Sequence, residues 1–349
     1  MTYQEVVEEI QGKRRFGTLA GARISRRMLR MLGEPQQGMK LIHIAGTNGK
    51  GSVSAFLCEI LKAAGIKTGM FTSPHLVEFE ERIRVNGRMI GQESVRRIGE
   101  ALLSMDVSVQ PTMFDYAFAM ALLYFKEQQC EAAVIETGLG GRLDSTNAVE
   151  TPAVSVITTI GYDHVEVLGN TLEEIAAEKA GILKEGTAFV TESQAPEALQ
   201  VLLKAAERAG VSSCDLTDCG AIYDRRMENG EQHYSFGRYE DLSMRMLGLH
   251  QYENAAAAIL AAERFFEKTD TGRSEEEIAA AIRRGIHDAV WPGRMEIIRD
   301  DPFFLVDGAH NGCGVTALRD SLAALFPGEK FHFLMGVMAD KDYEAMVEL

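Results

Sequence analysis

Cysteine is scarce in this chain, basic charge is outweighed, and long apolar runs are missing. The five cysteines, at positions 58, 130, 214, 219 and 313, form no CxxC pair and are odd in number. That argues against structural zinc and a disulfide framework, and fits free thiols in a reducing compartment. No run of 18 apolar residues occurs, and the N-terminal MTYQEVVEEIQGKRR is charged and amphipathic, without the apolar centre of a secretory signal. A soluble, cytoplasmic protein with no membrane partner is the expectation. Lys and Arg number 36 against 51 Asp and Glu, a formal charge of -15. Nucleic acid is therefore not expected as a partner, because neutralising its phosphates needs a basic face. A small anion can still be held by a local cluster.

What is present reads as a packed α/β protein. The 349 residues, 46% hydrophobic and 25% charged, exceed the ~250 to 300 at which one core usually stops growing, so two domains are expected. Buried-strand runs at 40–45, 68–72, 132–137, 153–160 and 188–191 alternate with helical patterns at 51–64, 112–129, 172–183 and 196–209. Such alternation implies a P-loop-type, mainly parallel sheet with helices on both faces. Thr171 with Glu174, and Ser274 with Glu277, read as capping boxes. After VWPGRM, strand-like runs at 295–298 and 303–306, a helix at 315–325 and a strand at 330–335 begin a second unit. The 55 residues from 295 to 349 are fewer than the ~100 to 150 of a typical domain, so the chain is expected to end inside it.

The run LIHIAGTNGKGSV, residues 41–53, has the ingredients of a phosphate loop with unusual spacing. The standard GxxxxGK[ST] pattern would place a glycine at position 44, where Ile44 stands, and Gly51 separates Lys50 from Ser52. Even so, an apolar strand, a glycine turn, a helix start and a lysine together make an anion cradle. Ser52 adds a hydroxyl suited to Mg2+. Two more strand ends carry polar groups: Glu136 before Gly138, Gly140 and Gly141, and Asp163 with His164 after the run at 153–160. Carboxylates there face the crevice in which open α/β sheets bind ligands. Mg2+ prefers oxygen ligands, so on its own His164 reads as a hydrogen-bonded loop histidine. Taken alone, Lys179 reads as an exposed helical lysine, Asn254 as an N-cap, Trp291 as hinge packing, and Phe114 as either helix core or a stacking platform.

HIAGTNGKGSV, FTSPHL, ERIRVNG, ETGLGGRLDSTN, DHVEVLG, EKAGILK, HQYENAAAA, WPGR and DGAHN occur in one order. On these nine motifs the sequence resembles the folylpolyglutamate synthase/dihydrofolate synthase family of the Mur ligase superfamily, from Gln4 to the last residue. In that superfamily GTNGKGS is a form of the phosphate loop, so the odd spacing is a family trait.

The resemblance implies an ATP-dependent ligase. A pteroate or folate carboxylate is phosphorylated to an acyl phosphate, which L-glutamate attacks. Residues 1–294 would form the ATP-binding domain, and 295–349 the start of a Rossmann-like glutamate-ligase domain. Gly46, Thr47, Asn48, Gly49, Lys50, Gly51 and Ser52 would hold the ATP phosphates, with Asn254, Arg294 and Asp307 contacting the nucleotide. Ser52 would serve a first Mg2+, and Ser73, Glu136 and His164 a second, with K+ a further ion. Lys179 matches a lysine that is often carbamylated in the superfamily, and His310 lies at the reaction centre. Lys50, Lys179, His164 and His310 form the expected catalytic set. Pro74, His75, Arg82 and Phe114 would meet the pterin substrate, although Asp115 stands where the family more often has Glu. Dihydropteroate and reduced folates are the expected acids, and a monomer the expected state.

Two alternatives differ in kind. A peptidoglycan Mur ligase usually carries a nucleotide-sugar domain before its phosphate loop, and only 45 residues precede Gly46 here. A nucleotide-binding switch would need no Glu136, His164, Arg294 or Asp307.

Overall fold

The computed structural model describes residues 1–13, 22–107, 110–338 and 343–349. Helices α1 (Tyr3–Gln11) and α2 (Arg23–Met31) precede the first strand, β1 (Lys40–Ala45), which runs through a glycine turn into α3 (Lys50–Ala63). The chain continues through β2 (Thr68–Phe71), a short hairpin of β3 (Ile83–Val85) and β4 (Arg88–Met89), helices α4 (Gln92–Leu103) and α5 (Met113–Glu127), and β5 (Ala132–Glu136). Then come β6 (Val154–Ile157), α6 (Val165–Leu168), α7 (Leu172–Ala180), β7 (Ala188–Thr191), α8 (Pro196–Ala209) and β8 (Ser213–Leu216).

These strands form one eight-stranded sheet, ordered β4-β3-β2-β5-β1-β6-β7-β8, parallel except at the β3 and β4 edge. Both faces are buried, as the continuous apolar runs require. Ile42, Ile44, Val134, Val156 and Val190 pack with Phe56 and Leu57 of α3. On the opposite face Leu41, Ala133 and Ile135 meet α1, α2, α4 and α5, while Ile157 and Phe189 meet α7 and α8. Strand β1 sits between β5 and β6, which the chain reaches by crossing over it. The carboxyl ends of β1, β2, β5 and β6 therefore open on one crevice, where such sheets bind ligands.

A second, antiparallel sheet of β9 (Ile222–Glu228), β10 (Glu231–Phe236) and β11 (Tyr239–Met244) leads into α9 (His250–Thr269) and α10 (Glu275–Asp288). Its Tyr234, Leu242 and Met244 complete the core around α9. The smaller second unit holds an antiparallel pair, β12 (Glu296–Asp300) and β13 (Phe303–Val306), followed by α11 (Gly312–Leu325) and α12 (Tyr343–Glu348). Among the described residues, no helix is long and apolar enough to cross a membrane.

Both expected capping boxes form, with the hydroxyls of Thr171 and Ser274 accepting from the amides of Glu174 and Glu277. Three expectations fail. Residues 330–335 are not a strand: β12 and β13 pair only with each other, so this run has no ladder, and Leu334 is fully exposed. The run at 153–160 leaves the sheet after Ile157, because Thr158 and Thr159 turn to bind the glycine loop. Asn254 is not an N-cap. It lies inside α9, which begins at His250 after an N-cap residue, Leu249, that makes no side-chain cap bond.

Candidate active site

The glycine loop is held by the segment after β6 as well as by its own lysine. The amides of Thr47 and Asn48 donate to the Thr159 carbonyl at 2.9 and 3.4 Å, and the Thr158 hydroxyl donates to the Asn48 carbonyl at 2.5 Å. Gly49 has φ 86°, in the left-handed region where a side chain is disfavoured, and Asn254 Oδ1 occupies the place its Cβ would take. No side chain caps α3. Its first-turn amides therefore face the crevice with the positive end of the helix dipole, as an anion site requires.

Two lysines converge on one carbonyl. Lys50 Nζ donates to Gly46 O and Thr47 O, each at 3.1 Å, and Lys179 Nζ donates to Gly46 O at 2.8 Å. Lys179 is 3% exposed, so the expectation of an exposed helical lysine is wrong. The end of α7 lies against the loop after β5, where the Arg142 amide donates to Glu178 O at 2.7 Å, and the Lys179 side chain turns in towards the loop after β1. Burial, reinforced by Lys50, pulls the Lys179 ammonium down to about 7. Lys50 Nζ also lies 3.9 Å from Glu136 Oε1. Glu136, at the end of β5, accepts from the Ser73 amide at 3.3 Å. Burial pushes its carboxyl up to about 7, opposed by Lys50, the Ser73 amide, Arg294 and Arg82. Such a carboxylate gains most from an added cation.

The residues expected to meet the acid flank this centre. Pro74 follows Ser73 through a cis peptide bond, and His75 Nδ1 accepts from Arg82 Nε at 2.8 Å. Buried Arg82 reaches Glu136 electrostatically. Phe114 is half-buried against Phe71, ring centres 5.4 Å apart, with the Gly138 backbone on its ring. Asp115 is drawn inward, accepting from Thr112, Ser25 and Ser145.

The second unit closes the other side. Asn311, the N-cap of α11, exchanges amide hydrogen bonds with Asn48 at 3.1 and 3.2 Å and donates to Asp163 Oδ2 at 3.1 Å. His310 Nε2 lies 3.7 Å from the same carboxylate, and His164 Nε2 3.9 Å from its other oxygen. Asp307 receives the amides of Met295 and Ala309, and Arg294 packs on Gly308. His164 thus joins the Asp163 cluster, Ser73, Glu136, Lys50 and Lys179 gather beside Gly46, and Asp163 and Lys179 link the two groups electrostatically.

Three groups in this site escaped the sequence. Gln251 is fully buried, donates to Ser52 Oγ at 3.2 Å and accepts from Asn254 at 2.9 Å. It lies one helical turn before Asn254, so the i, i+3 spacing in HQYEN carried that signal. Glu192, 1% exposed, accepts from the Thr159 amide and hydroxyl, both at 2.6 Å, and burial pushes it up to about 8. Asp144 gathers the amides of Gly138, Leu139 and Thr146 at 2.9 Å. Among the described residues, no cluster of three or more His, Cys, Asp or Glu could hold a metal. Ser73, whose amide meets Glu136, carries a hydroxyl, and a carboxylate with a hydroxyl is an oxygen donor set of the kind Mg2+ takes with its retained waters.

Residues 44–262 match the Mur ligase middle domain, and residues 293–349 the Mur ligase glutamate ligase domain. The dihydrofolate synthase/folylpolyglutamate synthase of Bacillus subtilis (strain 168) is 40% identical over 99% of this chain and 82% of its own length. The chain belongs to that family. The folylpolyglutamate synthase of Lacticaseibacillus casei is 34% identical, over the whole of this chain and 82% of its own. A solved folylpolyglutamate synthase complex with AMPPCP and folate superposes with a TM-score of 0.91 at 32% identity, covering 100% of this chain and 86% of the other. The Mycobacterium tuberculosis enzyme, solved with ADP and AMPPCP, gives 0.87 at 33% identity, covering 99% and 78%.

Proposed function

We propose that this chain is an ATP-dependent ligase that joins L-glutamate to a reduced folate and to dihydropteroate through an acyl phosphate. The observation that carries this reading is the convergence of Lys50 and Lys179 on Gly46 O, with Lys50 3.9 Å from buried Glu136. ATP and a carboxylate repel each other, and Lys50, Arg82 and Arg294 all act on the field at Glu136. Charge on a transferring phosphoryl group needs such cations in a water-poor site.

In this assignment the α3 amides and the residues from Gly46 to Ser52 hold the phosphates, with Asn254, Arg294 and Asp307 on the nucleotide. Ser52, Ser73, Glu136 and His164 would hold Mg2+, which when bound neutralises phosphate charge. Gln251 orients the Ser52 hydroxyl. A substrate carboxylate oxygen attacks the γ-phosphorus, the bond to the bridging oxygen breaks, and ADP leaves. The amino group of glutamate then attacks the acyl carbon, loses a proton and expels phosphate. His310 Nδ1 lies 2.7 Å from Gly308 O, which fixes its proton there and leaves Nε2 to accept one. The depressed pKa of Lys179 leaves part of it as the neutral amine that carbamylation requires. Pro74, His75, Arg82 and Phe114 are assigned to the acid. Residues 1–294 and 295–349 are the two domains, and a bound K+, a monomeric state and a cytoplasmic location complete the proposal.

Incubation with ATP, Mg2+, L-glutamate and either acid should give a product heavier by one glutamyl residue. With hydroxylamine in place of glutamate, the acid hydroxamate should form. Product without any hydroxamate would exclude the acyl phosphate.

A further inference from the structure

Gly51 separates the loop lysine from the loop serine, and its neighbour explains why it is glycine. A Cβ at this position would lie 2.6 Å from Trp291 Nε1, 2.9 Å from Cε2 and 3.2 Å from Cζ2. Non-bonded carbon keeps roughly 3.5 Å or more from such atoms, so the indole rests directly on the backbone of the first turn of α3. Trp291 is the chain's only tryptophan and is half-buried against the core around α3 and α9.

The indole also touches the acid side. The guanidinium carbon of Arg84 lies over its ring, 5.3 Å from the centre, a cation–π arrangement. Arg84 Nε donates to Glu81 O at 3.2 Å, and the Glu81 carboxylate gathers the amides of Leu76, Val77 and Glu78 at 2.9, 2.7 and 2.7 Å. Two residues beyond the indole, Gly293 lies against Leu76, and Arg294 packs on Gly308. One ring thus meets the phosphate helix and, through Arg84 of β3, the segment that follows β2, at the point where the chain enters its second unit.

We propose that Trp291, held by Arg84, is a positioning residue for the phosphate loop: it sets the first turn of α3, and so the aim of Lys50 and Ser52, and transmits the state of the segment from 76 to 84 to it. The proposal rests on the nucleotide site assigned above. Packed rings and rigid turns shift between discrete arrangements rather than deforming smoothly. Loss of the indole therefore weakens ATP binding more than it weakens acid binding.

The decisive experiment is a double-mutant cycle on AMPPCP affinity, measured by calorimetry on the full chain with Gly51→Ala, Trp291→Leu and the pair. Gly51→Ala alone should lower AMPPCP affinity at least tenfold, whereas in the Trp291→Leu background the same change should cost less than threefold, because leucine vacates the space. Trp291→Phe should restore the ATP KM lost in Trp291→Leu, with the acid KM nearly unmoved in both. In the unsubstituted protein, tryptophan fluorescence should shift on addition of AMPPCP. Equal costs of Gly51→Ala in both backgrounds, with AMPPCP still bound by the unsubstituted protein, would overturn the role of Trp291 alone. No AMPPCP binding by folded, unsubstituted protein would overturn the nucleotide site, and this role with it.

Discussion

Replacing Lys179 by Met should make the protein more stable and inactive. The lysine is 3% exposed, its one described hydrogen bond runs to Gly46 O, and burial lowers its pKa from 10.5 to about 7. At ~1.4 kcal/mol per pH unit, that depression corresponds to about 5 kcal/mol of strain on the ammonium. The hydrogen bond offsets ~1 kcal/mol, and imperfect methionine packing ~1 kcal/mol more, leaving a gain on the order of 3 kcal/mol. The sign follows from proton counting. Between pH 7 and 10.5 the unfolded chain binds the proton that the native chain has released, so the unsubstituted protein gains stability as pH rises through that window. The advantage of Lys179→Met is therefore largest below pH 7 and shrinks towards pH 10. Urea unfolding followed by Trp291 fluorescence and circular dichroism at pH 6, 8 and 9.5 measures it. A variant less stable than the unsubstituted protein at pH 6, or a difference independent of pH, would refute a strained buried ammonium.

Other substitutions separate the remaining roles. Lys50→Ala should abolish acid-dependent ADP release, by more than a hundredfold, in a protein whose circular dichroism is unchanged; near-normal turnover would remove Lys50 from the phosphate site. Lys179→Ala should lose ligation and recover part of it with added short carboxylates, which stand in for a carbamate; full activity without them would exclude the carbamate. Gln251→Leu should raise the ATP KM about tenfold, because the Ser52 hydroxyl loses its only described side-chain partner and a buried unpaired group costs ~1 to 3 kcal/mol; an unchanged KM would exclude this orienting role. For Glu192, raised to about 8, the native chain binds the extra proton between about pH 4.5 and 8. Its contribution falls as pH rises there, by at most ~1.4 kcal/mol per unit. Glu192→Gln should flatten the pH dependence of stability in that window; an unaltered slope would place the carboxyl's titration elsewhere.

The parallel sheet was legible because its strands are buried on both faces and read as unbroken apolar runs, and each ends where a glycine or a polar residue marks the crevice. The hairpin of β9 and β10 was not read from the sequence, although Asn229 and Gly230 form its turn with φ 52° and 80°, because β9 exposes charged residues along its length and hides the alternation. Lys179 could not be placed by local pattern, since one buried lysine at the end of a charged helix looks like surface until the sheet lies beneath it. Glu192 and the bond from Gln251 to Ser52 act through contacts 33 and 199 residues distant in sequence, which periodicity does not register, whereas the i, i+3 spacing of Gln251 and Asn254 was there to be read. Asn254 failed as a cap because α9 starts one turn earlier, at a boundary without a capping side chain. The expected strand at 330–335 had the composition of a strand and no partner to pair with.

ADP release from ATP and Mg2+, with L-glutamate present and absent, against dihydropteroate and tetrahydrofolate in parallel, tests the proposed ligase most directly. Turnover that requires both an acid and glutamate is the expected result, with both acids accepted. Folded protein that binds AMPPCP yet releases no ADP in response to either acid would contradict it.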